Sequence, residues 1–381
     1  CTCPSHKFPC KHGLALLLLA LDPKAVPEAE PPEWVASWLD KRATAGEAKH
    51  EKAAKAASAA PSKDQERRAA KREALVTTGL DALDLWMGDL IRNGLAAVES
   101  QPATFWERAA AQLVDAQAPG FASRVRALAE IPGSRPDWPE RLLGQLGRLA
   151  LLTHAYRRSV DLAPDLREDV RDLAGWHLKE EEVEARGEHV SDDWLALGQY
   201  VRDEERGRTQ RTWLLGTQSG RPALVLQFSY MNAPFKETFV PGLRQHGEVA
   251  FWPGAAGLRA HFVSRSAQTQ GVDAIPGAAS IEEFLAGVAR TLGRQPWQER
   301  FLCTLRSAVP IYDPAAKRWL IRDEAGAALP LRDDDLWGDH WRLLAISGGA
   351  PVEFAGEWNG EGLLPLGIVA GRAYYQLAGV M

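Results

Sequence analysis

The sequence predicts an α+β multidomain chain: a small cysteine-rich module with a following helix, an all-helical middle domain and a β-rich C-terminal domain. Three observations carry this. Three of the four cysteines fall in the first ten residues, CTCPSHKFPC, ahead of a leucine run. From Leu75 the apolar residues recur at every third or fourth position, as on one face of an α-helix. After His189 the pattern changes to short β-branched and aromatic runs separated by Gly and Pro. A chain of 381 residues, 45% hydrophobic and 25% charged, has the length and composition to build two or three ordinary soluble cores. Its net charge of −5 is small for that length, so any surface for an acidic partner must be local. Four cysteines are too few for a disulfide scaffold of this size.

The opening stretch places Cys1, Cys3, Cys10 and His12 as C-x-C, six residues, then C-x-H. In an extended strand residues i and i+2 share a face, so Cys1 and Cys3 can grip one ion from one side. The intervening PSHKFP carries two prolines and lets the chain fold back. Cys10 and His12 then stand where a helix begins, and a helix N-terminus favours the thiolate form that binds metal. Three sulfurs and one imidazole close a tetrahedral zinc shell of the structural type, with no open position for water. His6 is a fifth candidate donor; with the shell filled it is expected to face solvent. A disulfide between Cys1 and Cys3 would require a strained ring. The run Leu14–Leu21 is apolar almost all round, so its helix is expected to be buried, and at about two turns it is far short of a membrane span. Asp22-Pro23 follows it where a signal peptide would show a small-residue cleavage site, so the chain is expected to be cytoplasmic. The chain opens on Cys1 and not on Met, which reads as a fragment whose N-terminal part is missing.

CTCPSHKFPCKHGLALLLLAL resembles the SWIM zinc finger, including the proline after the second cysteine, the CKH triplet and the leucine-rich helix. The resemblance implies zinc ligands at Cys1, Cys3, Cys10 and His12, a short β-hairpin leading into the helix, and a structural role for the ion. The strand that precedes the first ligand in that family would lie before Cys1.

Beyond the finger, VPEAEPPEWVASWLDKRA passes from proline-rich sequence to a short amphipathic helix with Trp34, Trp38 and Leu39 on one face. Residues 41–73 hold ten basic and five acidic residues and few apolar side chains larger than Ala. Such a stretch cannot bury a core and is expected to be a solvated, partly helical linker; the alternative is a basic arm touching phosphates. Leu80, Leu83, Met87, Leu90, Ile91, Leu95 and Val98 then mark a long helix. Further helices are expected around Phe105–Val114, Phe121–Leu128, Arg141–Tyr156 and Leu166–Glu184, with PGSRPDWPE as a break. GLDALDLWMGDLIRNGLA and FWERAAAQLVDAQAPGFASRVRAL resemble the helical region of bacterial SWIM proteins found beside MoxR-type AAA ATPases and von Willebrand A-domain proteins.

Strands are expected at WLALGQYV, RTQRTWLLGTQ, PALVLQFSY, GEVAFWPG and LRAHFVSR, then a helix over Ser280–Leu292. KRWLIRDEAG, DHWRLLAISGG, PVEFAGEWNG and LLPLGIVAG return to strands. The divisions are 1–40 for the finger and its following helices, 41–73 for the linker, 74–188 for the helical domain and 189–381 for the β-rich α+β domain. Cys303, on an apolar stretch, is expected to be an inert buried thiol.

The sequence carries no P-loop, G-x-G-x-x-G, G-x-S-x-G or H-E-x-x-H. His177 and Glu181 stand four apart, as on one helix face, but among charges that read as a solvated helix end. Asp333, Asp334 and Asp335 precede His340, yet three consecutive acids point in different directions and read as an exposed loop. Trp213, Trp252, Trp319 and Trp341 could stack bases, but their apolar surroundings read as core or interface. The expectation is a non-enzymatic zinc-binding interaction protein, an adaptor for a MoxR-type ATPase or von Willebrand A-domain partner. A DNA-binding module using Lys7, Lys11 and the basic linker is the alternative. A metal-dependent hydrolase using the C-terminal acids is a weaker one.

Overall fold

The structure, a computed structural model, describes residues 10–20, 30, 32–38, 41, 63–204, 207–230, 233–332 and 340–379. The chain divides into two units, Cys1–Ser58 and Ala59–Met381. In the first, α1 spans Lys11–Ala20 and residues 33–38 are also helical. None of the ten residues of α1 is buried, which corrects the expectation of a buried leucine helix. Its leucines occupy every side of the cylinder, so a single neighbour could cover only part of them.

The second unit opens on a long helix, α2 (Lys63–Asn93), whose start lies inside the basic stretch. Val76, Leu80, Leu83, Met87 and Leu90 are buried, at spacings of three and four. Gly79 lets α2 approach its neighbour: a Cβ there would stand 2.5 Å from that of Ala116. The bundle continues with α3 (Ala103–Asp115), α4 (Pro119–Leu128), α5 (Trp138–Arg157) and α6 (Pro164–Ala174). Pro119 and Pro164 each sit at the start of their helix, where a missing N–H costs nothing. The expected helix over Leu166–Glu184 is two helices. Gly175, at φ 104°, caps α6, and α7 (Glu180–Arg186) starts afresh. Polar ties bind α5 to α2: Thr153 donates to Asp84 at 3.1 Å and Tyr156 to Glu73 at 3.1 Å.

Two antiparallel sheets follow. The first has the order β3-β2-β1-β4-β5, from β1 (Glu188–Glu204), β2 (Gly207–Gly216), β3 (Pro222–Ser229), β4 (Leu243–Phe251) and β5 (Ala260–Gly271). The second has the order β11-β10-β9-β6-β7-β8, from β6 (Phe301–Asp313), β7 (Arg318–Asp323), β8 (Ala328–Pro330), β9 (Val352–Trp358), β10 (Leu363–Ala370) and β11 (Ala373–Gln376). Strand alternation divides β1 between two cores. Leu195 and Leu197 face Phe354, Leu364 and Leu366 of the second sheet, while Trp194 and Ala196 join Leu214, Val249 and Phe251 on the other face. Gly198 permits the close crossing of β1 and β10, since a Cβ there would meet Leu366 at 2.8 Å. Helix α8 (Ile281–Arg294) packs on β6, with the Ser280 hydroxyl capping it by accepting from the Glu283 amide.

The strand expected at DHWRLLAISGG is instead a helix, α9 (His340–Ser347). Its buried residues, His340, Leu343 and Ser347, fall at helical spacing, and Gly348 and Gly349, both at positive φ, end it. Conversely β6, the strand that pairs with both β7 and β9, was visible in the sequence only as an apolar stretch. It buries Cys303 completely, and burial pushes that thiol well above its ordinary range.

The bundle and the sheets meet within the second unit. Trp297, which precedes β6, belongs to the helical core and donates its indole N–H to the Arg148 carbonyl at 3.0 Å. Arg141 of α5 pairs with Glu361 of the β9–β10 turn at 2.7 Å.

Candidate metal centre

Of the four donors expected for zinc, Cys10 and His12 are described, and Cys1 and Cys3 lie outside the described residues. Cys10 begins the helix: its carbonyl accepts from the Leu14 amide at 3.1 Å, the first turn of α1. Its sulfur lies over the same turn, 4.0 Å from where a Cβ on Gly13 would stand. Glycine at position 13 leaves that space open. His12 is exposed in the first turn of α1, two residues on. A thiol and an imidazole thus both lie at the N-terminal turn of α1, the positive end of its dipole, which favours thiolate. The donor set is that of a structural zinc site, soft sulfur with one borderline nitrogen, and it fits the ion. Bound there, zinc would supply cross-linking of the loop to the helix, and folding energy with it.

The other candidates from the sequence are placed as follows. His177 precedes α7 whereas Glu181 lies inside it, so they do not share a helix face; His177 instead pairs with Asp172 at 2.9 Å. Asp333, Asp334 and Asp335 lie outside the described residues. His340 is buried and stacks on Trp319 with centroids 5.9 Å apart and planes 3° from parallel, a packing role. Trp213 is buried between the sheets, Trp252 lies under the Arg259 guanidinium at 4.1 Å, and Trp341 meets Trp319 edge-on while remaining exposed.

One polar centre escaped the sequence. Glu357 of β9 has no exposed surface, yet it accepts from Tyr200 at 2.6 Å and Trp213 at 2.7 Å and pairs with Arg300. Burial alone would raise its carboxyl; the Arg300 charge and the three donors outweigh that and hold it below the ordinary carboxylate range. Three of these partners come from β1, β2 and the start of β6, so no local sequence signal announces the cluster. It fastens one sheet to the other, and the buried charge is compensated.

Comparison with known proteins agrees with the metal centre and the bundle. Residues 1–21 match the SWIM zinc finger. Residues 71–174, which run from α2 to the end of α6, match the SWIM-associated four-helix bundle domain. No curated protein and no solved structure matches the chain. Both matched modules are non-catalytic, and no described helix is long and apolar enough to cross a membrane. The finger implies a structural zinc ion, and with finger and associated bundle in this order the chain matches a SWIM zinc finger family protein.

Proposed function

We propose that the chain is a non-enzymatic adaptor, and that its zinc, held by Cys1, Cys3, Cys10 and His12, fixes the base of a helix that docks a protein partner. The observation that carries this is the state of α1. Leu14, Leu16, Leu17, Leu18 and Leu19 are between 46 and 67% exposed, and Trp34 and Trp38 of the next helical stretch are exposed as well. Apolar side chains concentrated this way on a chain with well-packed cores elsewhere mark an interaction surface. The proposed partner is a MoxR-type AAA ATPase or a von Willebrand A-domain protein, on the resemblance of the helical region. A purified partner of each kind is to be captured on the immobilised zinc-loaded chain, beside Leu17→Asp and Cys10→Ser versions. Capture by the native chain and loss in both variants supports the reading. Capture of neither partner overturns it, and capture unchanged in Leu17→Asp removes α1 from it.

The second reading is DNA binding. Lys63, Arg67, Arg68 and Lys71 are exposed along the first turns of α2, a short cationic track. Fluorescence anisotropy with random duplex DNA separates the two: a DNA binder loses affinity steeply as salt rises, in proportion to the phosphates it neutralises.

A further inference from the structure

A cavity of about 700 Å³ opens where the bundle meets the second sheet. Six arginines line it: Arg124 of α4, Arg135 before α5, Arg141 and Arg148 of α5, Arg300 just before β6, and Arg332 after β8. Only three acidic residues, Glu130, Glu299 and Glu361, share the lining, and Asp137 and Glu357 reach its arginines from behind. Four of the arginines are answered by carboxylates. Arg135 pairs with Asp137 at 2.8 Å, Arg141 with Glu361 at 2.7 Å, Arg300 with Glu357, and Arg332 reaches Glu357 at 3.9 Å.

Arg124 and Arg148 are not answered in this way. Among the described residues neither has a carboxylate within ion-pair distance. Each donates only to a main-chain carbonyl, Arg124 to Gly120 at 3.3 Å and Arg148 to Gln298 at 3.5 Å. Both are half-buried. Burial first, and the neighbouring Arg148 charge in smaller part, pull the Arg124 guanidinium below its ordinary range, against the opposing pull of Glu299. Two guanidiniums facing one concavity with no carboxylate in contact with either is an arrangement that an anion relieves.

The geometry points to this cavity as a binding site for a small organic phosphate carrying at least two negative charges, a nucleoside diphosphate being the representative case. A carboxylate offers two oxygens in one plane: Glu361 gives both to the Arg141 fork and reaches Arg135 with only a longer contact of 3.4 Å. A phosphate group offers three outer oxygens and can accept from two forks at once. The apolar part of the lining, Leu128, Ile131 and Leu149, provides for the ligand's uncharged body. A concave volume of this size suits a metabolite, and a lining dominated by charged side chains suits one that is largely ionic. The site is distinct from the finger and from α1, so it stands whether or not the adaptor reading does.

Position 144 supplies a clean test. Gly144 lines the cavity from α5, and a Cβ there meets nothing within 4 Å; Gly147 of the same helix is equally open but does not line the cavity. Both substitutions to Glu place a better helix former in a helix, so both proteins are expected to fold. Calorimetric titration of the full zinc-loaded chain uses ADP, pyrophosphate, citrate and random duplex DNA as probes. The expected result is saturable binding of ADP and pyrophosphate, weakened about tenfold or more, some 1.4 kcal/mol, in Gly144→Glu and in Arg148→Gln, and unchanged in Gly147→Glu. Absence of saturable binding of either phosphate at low salt overturns the proposal. So does equal affinity in Gly144→Glu, citrate binding as tightly as pyrophosphate, or a Gly144→Glu effect seen with DNA alone.

Discussion

Two helices of this chain are both rich in leucine and stand in opposite states. In α2, Leu80, Leu83 and Leu90 alternate with charged residues and are buried; in α1, five leucines in six positions are exposed. The difference is pattern and not hydrophobicity. A stripe at spacing three and four can be covered completely by neighbours on one side, while an all-round apolar helix of ten residues leaves surface over whatever packs on it. The unit containing α2 is held by packing and by paired buried charge, whereas for the unit containing α1 the proposed zinc would take that part.

The largest effect that bears on this contrast is loss of zinc. Structural zinc sites bind with apparent energies of about 10–16 kcal/mol at neutral pH. Cys10→Ser is expected to lower the zinc content of the purified chain and to open residues 1–58 to protease. The main thermal transition is expected to stay in place; a fall in that transition would break the contrast. Next comes the buried charge. Glu357→Gln leaves Arg300 without its counter-charge and is expected to cost about 3–5 kcal/mol in denaturant unfolding. Because the folded carboxyl titrates below its ordinary value, the native chain keeps this contribution at neutral pH. It loses it as acid is added through the folded value, a slope that the variant lacks.

Packing follows. Leu80→Ala is expected to cost about 2–5 kcal/mol, and Leu17→Ala within about 0.5 kcal/mol either way. Comparable losses would mean that α1 is packed after all. A smaller effect concerns Asp169, whose carboxyl burial pushes up to about 6, although it accepts from the Ala255 amide at 2.7 Å. The folded state holds that proton longer than the unfolded chain, so stability falls as pH rises from about 4 to about 6, by up to about 3 kcal/mol. Asp169→Asn is expected to flatten that segment of the melting curve. The smallest effect is a gain: Gly147→Ala, in open space on α5, is expected to stabilise by about 0.5–1 kcal/mol.

Much of the fold was legible because periodicity is local. The stripe on α2, the apolar run of β1 and the serine cap of α8 all announce themselves within a few residues. The errors have local causes too. HWRLLAIS is apolar enough to pass for a strand, and its helical spacing shows only once His340, Leu343 and Ser347 are seen on one face. Gly175 splits the expected Leu166–Glu184 helix because its left-handed φ of 104° ends α6, a conformation that the run of helix formers around it does not announce. The zinc finger was legible because sulfur and imidazole at C-x-C and C-x-H have few other uses. The arginine cavity was not, since its walls come from α4, α5, β6 and the turns beyond β8 and β9. One trace of it does lie in the sequence: Arg141, Gly144, Gln145 and Arg148 recur at three and four on α5, a polar stripe beside its leucines.

Trp297 carries a consequence for how this protein came to be assembled and for how it can be taken apart. The residue sits more than a hundred positions beyond the bundle and yet fills its core. The helical module is therefore finished by its downstream neighbour, as a keystone cut from another block finishes an arch. A gene fragment ending after α7 would encode a bundle with an empty slot where the indole belongs. A shuffling event that moved the bundle into a new protein would have to bring that tryptophan along or find a substitute for it.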